Sequence, residues 1–374
     1  MSAPLFPQLR WPIDLQIEKF DKDEILVVRC PLGIAPQPLL LVPAVSPILA
    51  CFDGSMSLDE IHHKFTPHGV GRPLLEELVR ILDEGLFLHG PRFHAAEQAI
   101  KLGFSQRTSR PAALAGLSYA LDPVKLSEQL SAYLDSASVK GSQKNLICLV
   151  APHIDYQRGW RTYGATYANL LSDNIDLYVV VGTAHQYSRR MFHLTLKDFE
   201  TPLGSLQCDR EFVGSLARLY GEERSFADEI LHRQEHSLEL QMPFIKFLRG
   251  EAMIAPILVG SFHQMLNSGK SPEEFEEYET FASALSETIS DQIRAGRSVA
   301  FVAGVDMAHV GRAFGDSGSL TAEFMQQVKD RDHEYLRAVS NQSKRSLWEH
   351  IESDVDARRI CGFPTMYTII DVLD

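Results

Sequence analysis

Hydrophobic positions fall into two regimes along the chain. Before about residue 95 the apolar runs are short. Ile25–Val28 and Leu39–Val42 are bounded by charged residues, Gly and Pro, and predict strands. Ser57, with Glu60 three residues on, writes a capping box after the Asp53-Gly54 turn. Leu74, Leu75, Leu78, Ile81 and Leu82 repeat at helical spacing up to Gly85, and LFLH beyond it predicts a closing strand. Residues 1–95 are therefore expected to form a small winged-helix-like α+β domain. Residues 96–109 are polar and weakly patterned and predict a linker. From Arg110 the pattern changes. Leu126–Leu134 is amphipathic and helical, and four apolar runs follow: Leu146–Ala151, Leu177–Val181, Met253–Val259 and Val299–Val305. Runs of this kind are buried on both faces, and most are separated by enough chain for a crossover helix. Residues 110–374 are expected to be an α/β domain with a mixed or mostly parallel sheet flanked by helices.

Each run ends in polar punctuation: Pro152-His153-Ile154-Asp155-Tyr156, Gly182-Thr183-Ala184-His185, Gly260-Ser261-Phe262-His263 and Asp306-Met307-Ala308-His309. Parallel strands bring their C-terminal ends to one edge, where open α/β sheets bind ligands. One histidine in such a place is an ordinary loop residue. Four of four point to a shared site. A fifth contributor is the run from Gln234 to Phe244, in which Glu235 and Glu239 are four apart and predict a shared helix face, with His236 beside them. Pro243 is expected to kink that helix or lie near its end. E-H-x-x-E is not H-E-x-x-H, so a zinc-protease reading fails. Thr201-Pro202-Leu203-Gly204 is a turn signal.

Charge and cysteine usage narrow the classes. The formal net charge is −13, and residues 1–100 hold 8 Lys and Arg against 13 Asp and Glu, so neither part presents a nucleic-acid reader's basic balance. No apolar run approaches the roughly 20 residues that span a bilayer. The N-terminus lacks a basic segment followed by an apolar one. Five scattered cysteines form no C-x-x-C pair, which fits a reducing cytoplasm. Cys148 and Cys361 lie in apolar surroundings and are read as core.

Two resemblances emerge. Phe52-Asp53-Gly54, Ser57-Leu58-Asp59-Glu60-Ile61 and Leu82-Asp83-Glu84-Gly85-Leu86-Phe87 resemble the PqqD-like peptide-recognition domains. That implies a peptide or protein partner at the N-terminal domain. The second resemblance covers about 265 residues. Arg110-Pro111 with Ala115-Gly116 and Tyr119, Ala151-Pro152-His153 with Tyr156, Gly182 with His185, and Thr201–Gly204 begin an ordered series. Glu235-His236-Ser237 with Glu239 and Pro243-Phe244, Pro256 with Val259-Gly260, Asp306 with His309 and Gly311, and Ile360-Cys361-Gly362 complete it. This order resembles the MEMO family, which includes AmmeMemoRadiSam system protein B. That family is similar in fold to class III extradiol dioxygenases, which hold non-haem iron with two histidines and a carboxylate.

The resemblance implies that His153 and His185 are metal ligands and that His236 stands where those enzymes keep an acid–base histidine. Ala308 stands where a cysteine or glutamate would ligate, which leaves Asp306 as the candidate third ligand. Glu235 or Glu239 would orient an imidazole, and His263 and His309 would either line the cleft or be held in structural hydrogen bonds. Ile154-Asp155 also departs from the family's small pair. The implied cofactor is a divalent metal, Fe(II) first, with Cu or Zn as alternatives. Two functions stay open: a non-haem metal-dependent oxygenase-type enzyme acting on a small molecule, and a non-catalytic binding or scaffold protein of a radical-enzyme modification system.

Overall fold

The computed structural model describes residues 6–20, 23–137, 146–171 and 175–374. Two compact units result, Met1–Gln106 and Arg107–Asp374.

In the first unit, β1 (Asp14–Phe20), β2 (Asp23–Arg29) and β3 (Leu39–Leu41) form an antiparallel sheet in that order. Leu26 and Val28 of β2 share a core with Ile61, Leu75, Leu78, Val79 and Leu82 from the helices Leu58–Phe65 and Arg72–Glu84. The capping box forms as its spacing predicts: the Glu60 N–H donates to Ser57 Oγ, and the Ser57 N–H donates to Glu60 Oε2 at 2.7 Å. The expected closing strand does not form. Leu86 has a φ of 65°, which breaks the extended run, and Leu88 makes only an isolated bridge to Leu9. Its apolar character reflects burial, since Phe87 and Leu88 are both in the core. Much of the expected linker lies in a helix, Pro91–Ser105. Only Phe93 and Phe104 of that helix are fully buried, which is why its sequence shows little periodicity.

The second unit is built on a mixed, mostly parallel sheet. Its strands are β5 (Cys148–Ala151), β6 (Leu177–Thr183), β7 (Phe192–Leu194), β9 (Gln207–Cys208), β10 (Met253–Val259) and β11 (Val299–Gly304). The order is β5-β11-β6-β10-β7, with β9 also on β10. Only the β7–β10 pairing is antiparallel. The four predicted runs form β5, β6, β10 and β11, all parallel to one another. β6 is buried along its whole length, and its alternate residues Leu177, Val179 and Val181 join one core. That core also takes Phe212 and Leu216 from Arg210–Tyr220, Phe281 and Leu285 from Glu276–Arg294, and Met366 and Ile370 from Phe363–Leu373. Apart from the sheet, β4 (Ser109–Arg110) pairs in parallel with β8 (Asp198–Phe199) and delivers the fully buried Arg110 side chain.

Candidate metal centre

Because β5 and β6 run parallel to β11 between them, His153 and His185 emerge at the same edge of the sheet. The third histidine comes from the short helix His236–Glu239. Two glycines allow that helix to lie against the strand ends. A Cβ at Gly182 would come within 2.5 Å of Ser237 Oγ, and one at Gly304 would collide with the Ser237 carbonyl. Ser237 Oγ–H then donates to the Thr183 carbonyl at 2.8 Å and pins the helix to β6.

The three imidazoles meet. Ring centroids lie 4.9 Å apart for His153 and His185, 5.1 Å for His153 and His236, and 4.3 Å for His185 and His236. One nitrogen from each falls within 4.8 Å of the other two. Nitrogens sharing one ion at about 2.0–2.2 Å lie somewhat closer than that, so small ring movements complete the set.

Hydrogen bonds settle which nitrogen each ring offers. His153 Nδ1 donates to the Gly304 carbonyl at 2.9 Å. His185 Nδ1 donates to Glu235 Oε1 at 2.9 Å, and His236 Nδ1 lies 3.2 Å from the same oxygen. With each Nδ1 engaged, Nε2 is the nitrogen each ring can offer an ion, although that of His153 meets the Cys361 thiol at 3.2 Å, which must turn aside for an ion to bind. Burial lowers the His153 pKa to about 4, with the neighbouring His185 and His236 adding to the shift against the pull of Asp306. Burial works to raise Glu235, but hydrogen bonds from His185 and His236 outweigh it and hold the carboxyl well below the ordinary range. Neutral imidazole with an ionised carboxylate behind it is the state a metal requires. The donor set therefore fits a divalent ion.

The other expected site residues take distinct places. Asp306 Oδ1 accepts the His153 backbone N–H at 2.9 Å, and Oδ2 stands 3.8 Å from His153 Nε2, beside the three-histidine cluster but outside it. Glu235 and Glu239 do not share a helix face. Glu235 is the N-cap, in extended conformation, and accepts from the Ser237 N–H at 3.0 Å. Glu239 is 1% exposed, and its oxygens accept from Arg110 Nη1, the Ala113 and Leu114 N–H groups and Tyr119 OH. That carboxylate is committed to structure, with no oxygen left for an imidazole. Pro243 opens a second helix, Met242–Arg249, after a break at 240–241.

His309 Nδ1 donates to the Arg359 carbonyl, and its ring packs on Phe314; His263 lines a neighbouring cleft. Neither joins the cluster. Asp155 caps the helix Tyr156–Tyr167, and Ala308 offers no donor. Cys361, read from sequence as core, is a further correction. Its Sγ lies 3.2 Å from His153 Nε2, and burial pushes the thiol up to about 12. Ile360 and Phe363 beside it are in the core while Cys361 itself is only partly buried, and only its place in the late I-C-G motif hinted at the site.

Comparison with known proteins gives the family of the second unit. A family model described as "Memo-like protein" matches residues 110–374. A MEMO1 family protein of Aquifex aeolicus is 25% identical over 355 residues, covering 93% of this chain and 87% of the relative. That alignment is longer than the family-matched segment and so extends into the N-terminal unit. A MEMO1 family protein of Thermus thermophilus is 30% identical over 290 residues, 76% of this chain and 80% of the relative. One from Archaeoglobus fulgidus is 30% identical over 196 residues, 52% of this chain and 66% of its own.

Proposed function

The chain belongs to the MEMO family, and from that membership and the histidine cluster we propose that it binds a divalent metal through His153, His185 and His236 and acts on a small molecule beside it. The observation that carries the reading is the meeting of three imidazoles, with one nitrogen of each within 4.8 Å of the others, while every Nδ1 is tied to a carbonyl or to Glu235. Three imidazoles suit Fe, Cu or Zn. When bound, such an ion supplies Lewis acidity and open positions for a substrate, and for dioxygen if it is iron. The chain's own residues then divide the work. Glu235 fixes the tautomer and orientation of His185 and His236. Asp306 Oδ2 is the carboxylate oxygen positioned to accept a proton from a molecule at the cluster, a role that passes to it once His236 is a ligand.

The test is metal content of protein purified without chelators, followed by anaerobic addition of Fe(II). One metal per chain is expected, lost in His153→Ala, His185→Ala and His236→Ala alike. Full stoichiometry in His236→Ala would return the site to two histidines with Asp306. Absence of metal under all conditions would leave the scaffold reading.

A peptide partner is part of the same proposal for the N-terminal unit. Among the described residues β1 pairs only with β2, and Leu15 and Ile17, which share one face, are exposed. Such an edge accepts an extended peptide by strand addition.

A further inference from the structure

The loop 184–191, which carries His185 away from β6, walls a cleft of about 570 Å³ whose other side is formed by residues 260–265 and Phe275. Its lining holds Arg189, Arg190, His185, His193 and His263, and no aspartate or glutamate. The chain as a whole has 49 acidic residues against 36 Lys and Arg, so this is a local reversal of charge. Arg189 is exposed and makes no ion pair among the described residues. Arg190 is only loosely paired, with Nη1 3.9 Å from Glu277 Oε2. The same Glu277 already accepts from the Met191 N–H and from Tyr220 OH.

His193 adds an independent observation. It sits on β7 and is fully buried, and its ring nitrogens have no partner beyond a weak contact with the Arg190 backbone. Burial, only partly offset by Asp228, Glu277 and the Arg190 backbone, lowers its pKa to about 4, so the ring is neutral and offers one donor and one acceptor. Buried polar atoms are normally satisfied, and a poorly paired one in a cleft wall is a place where a ligand atom gains most.

The geometry points to a subsite in this cleft for an oxyanion group, carboxylate or phosphate, of a small molecule whose other end reaches the histidine cluster. Arg189 and Arg190 are its anion contacts, because guanidinium donors match the planar or tetrahedral oxygens of such groups. His193 supplies a neutral polar contact deeper in the wall. His185 belongs to both the cluster and the cleft lining, so one molecule can span the two. The inference rests on the proposed metal reading for what lies at the far end of the ligand, but not for the binding of the anion.

The experiment titrates the full chain, metal-stripped and metal-loaded, with inorganic phosphate and separately with malonate by calorimetry at low and high salt. The expected result is saturable, salt-sensitive binding of at least one probe by the metal-stripped chain. Arg189→Gln or Arg190→Gln should weaken it about tenfold, equivalent to about 1.4 kcal/mol, with metal stoichiometry unchanged. Arg345→Gln, an exposed arginine outside the cleft lining, should leave it unchanged. Binding of phosphate alone assigns a phosphorylated ligand, and binding of malonate alone a carboxylate. The proposal is overturned if the stripped chain binds neither probe, if only the metal-loaded chain binds, or if both arginine variants bind as the wild type does. Should metal fail to bind while arginine-dependent anion binding persists, the metal reading falls and the subsite stands.

Discussion

The Glu235 carboxylate receives donors from three residues. Oε2 accepts the His185 backbone N–H, and Oε1 takes the Ser237 N–H and both Nδ1 contacts. Glu235→Gln replaces one acceptor oxygen with a donor and should weaken metal affinity about 10–100-fold, as loss of a group orienting a ligand does. Titration against a competing chelator reads this, and an unchanged affinity would show that His185 and His236 hold their orientation without it. A second residue-scale prediction concerns the support beneath. Arg110 is fully buried, pairs with Glu239, and donates to the His232 and Glu235 carbonyls at 2.9 and 3.0 Å. Arg110→Met leaves Glu239 buried without its cation and should cost about 3–5 kcal/mol of stability. Denaturant unfolding of the variant measures it. A loss below about 1 kcal/mol, the range of an exposed pair, would mean that water reaches the carboxylate. Arg110-Pro and E-H-x-x-E were both visible in the sequence, but their pairing was not, because 129 residues separate the two side chains.

Among the elements, the short helix His236–Glu239 decides whether two histidines or three converge. Its closeness to the strand ends depends on the missing side chains of Gly182 and Gly304. Gly304→Ala places a Cβ against the Ser237 carbonyl and close to Gln241 Nε2, so the helix must move and carry His236 with it. The expected outcome is a folded but less stable protein with metal binding at least about tenfold weaker, since second-line support of ligands has effects of that size. Circular dichroism and metal titration separate the two effects, and native affinity in a stably folded Gly304→Ala would show that the approach is not needed. The glycine of G-x-x-H was legible as a motif residue. Its reason was not, because the collision it avoids is with another segment of chain. The same helix explains why Glu235 and Glu239 were expected on one face. A spacing of four implies a shared face only if both residues are helical, and the N-cap conformation at Glu235 removes that condition.

For the whole molecule, the division after Gln106 predicts that a fragment beginning at Arg107 folds and binds metal as the full chain does. It retains Arg110, all three histidines and Glu235. An insoluble fragment, or one without metal, would show that the second unit depends on the first. Proteolytic cutting of the full chain is expected at 106–108 rather than earlier, because the helix Pro91–Ser105 occupies most of the segment read as a linker. The N-terminal unit, with its acidic balance, should not bind duplex DNA at near-physiological salt. Tight, salt-sensitive DNA binding in a gel-shift assay would replace the proposed peptide partner with a regulatory role.

Much was settled by the sequence alone. Four apolar runs mark four strands of the sheet; β6, β10 and β11 are covered on both faces and have no polar alternation to display, while the edge strand β5 stays apolar although Val150 is exposed. Their polar ends mark one sheet edge, since parallel strands finish together. Tertiary structure decided which groups at that edge meet. His153 and His185 converge because β5 and β6 flank β11, whereas His263 and His309 follow strands of the same kind and lie apart from the cluster. His236 enters from a helix more than 50 residues from either partner, and Cys361 comes from near the end of the chain. Local pattern reports what each segment buries. It carries no record of which distant side chains share the space beyond a strand, because strand order and the close contacts at two glycines fix that.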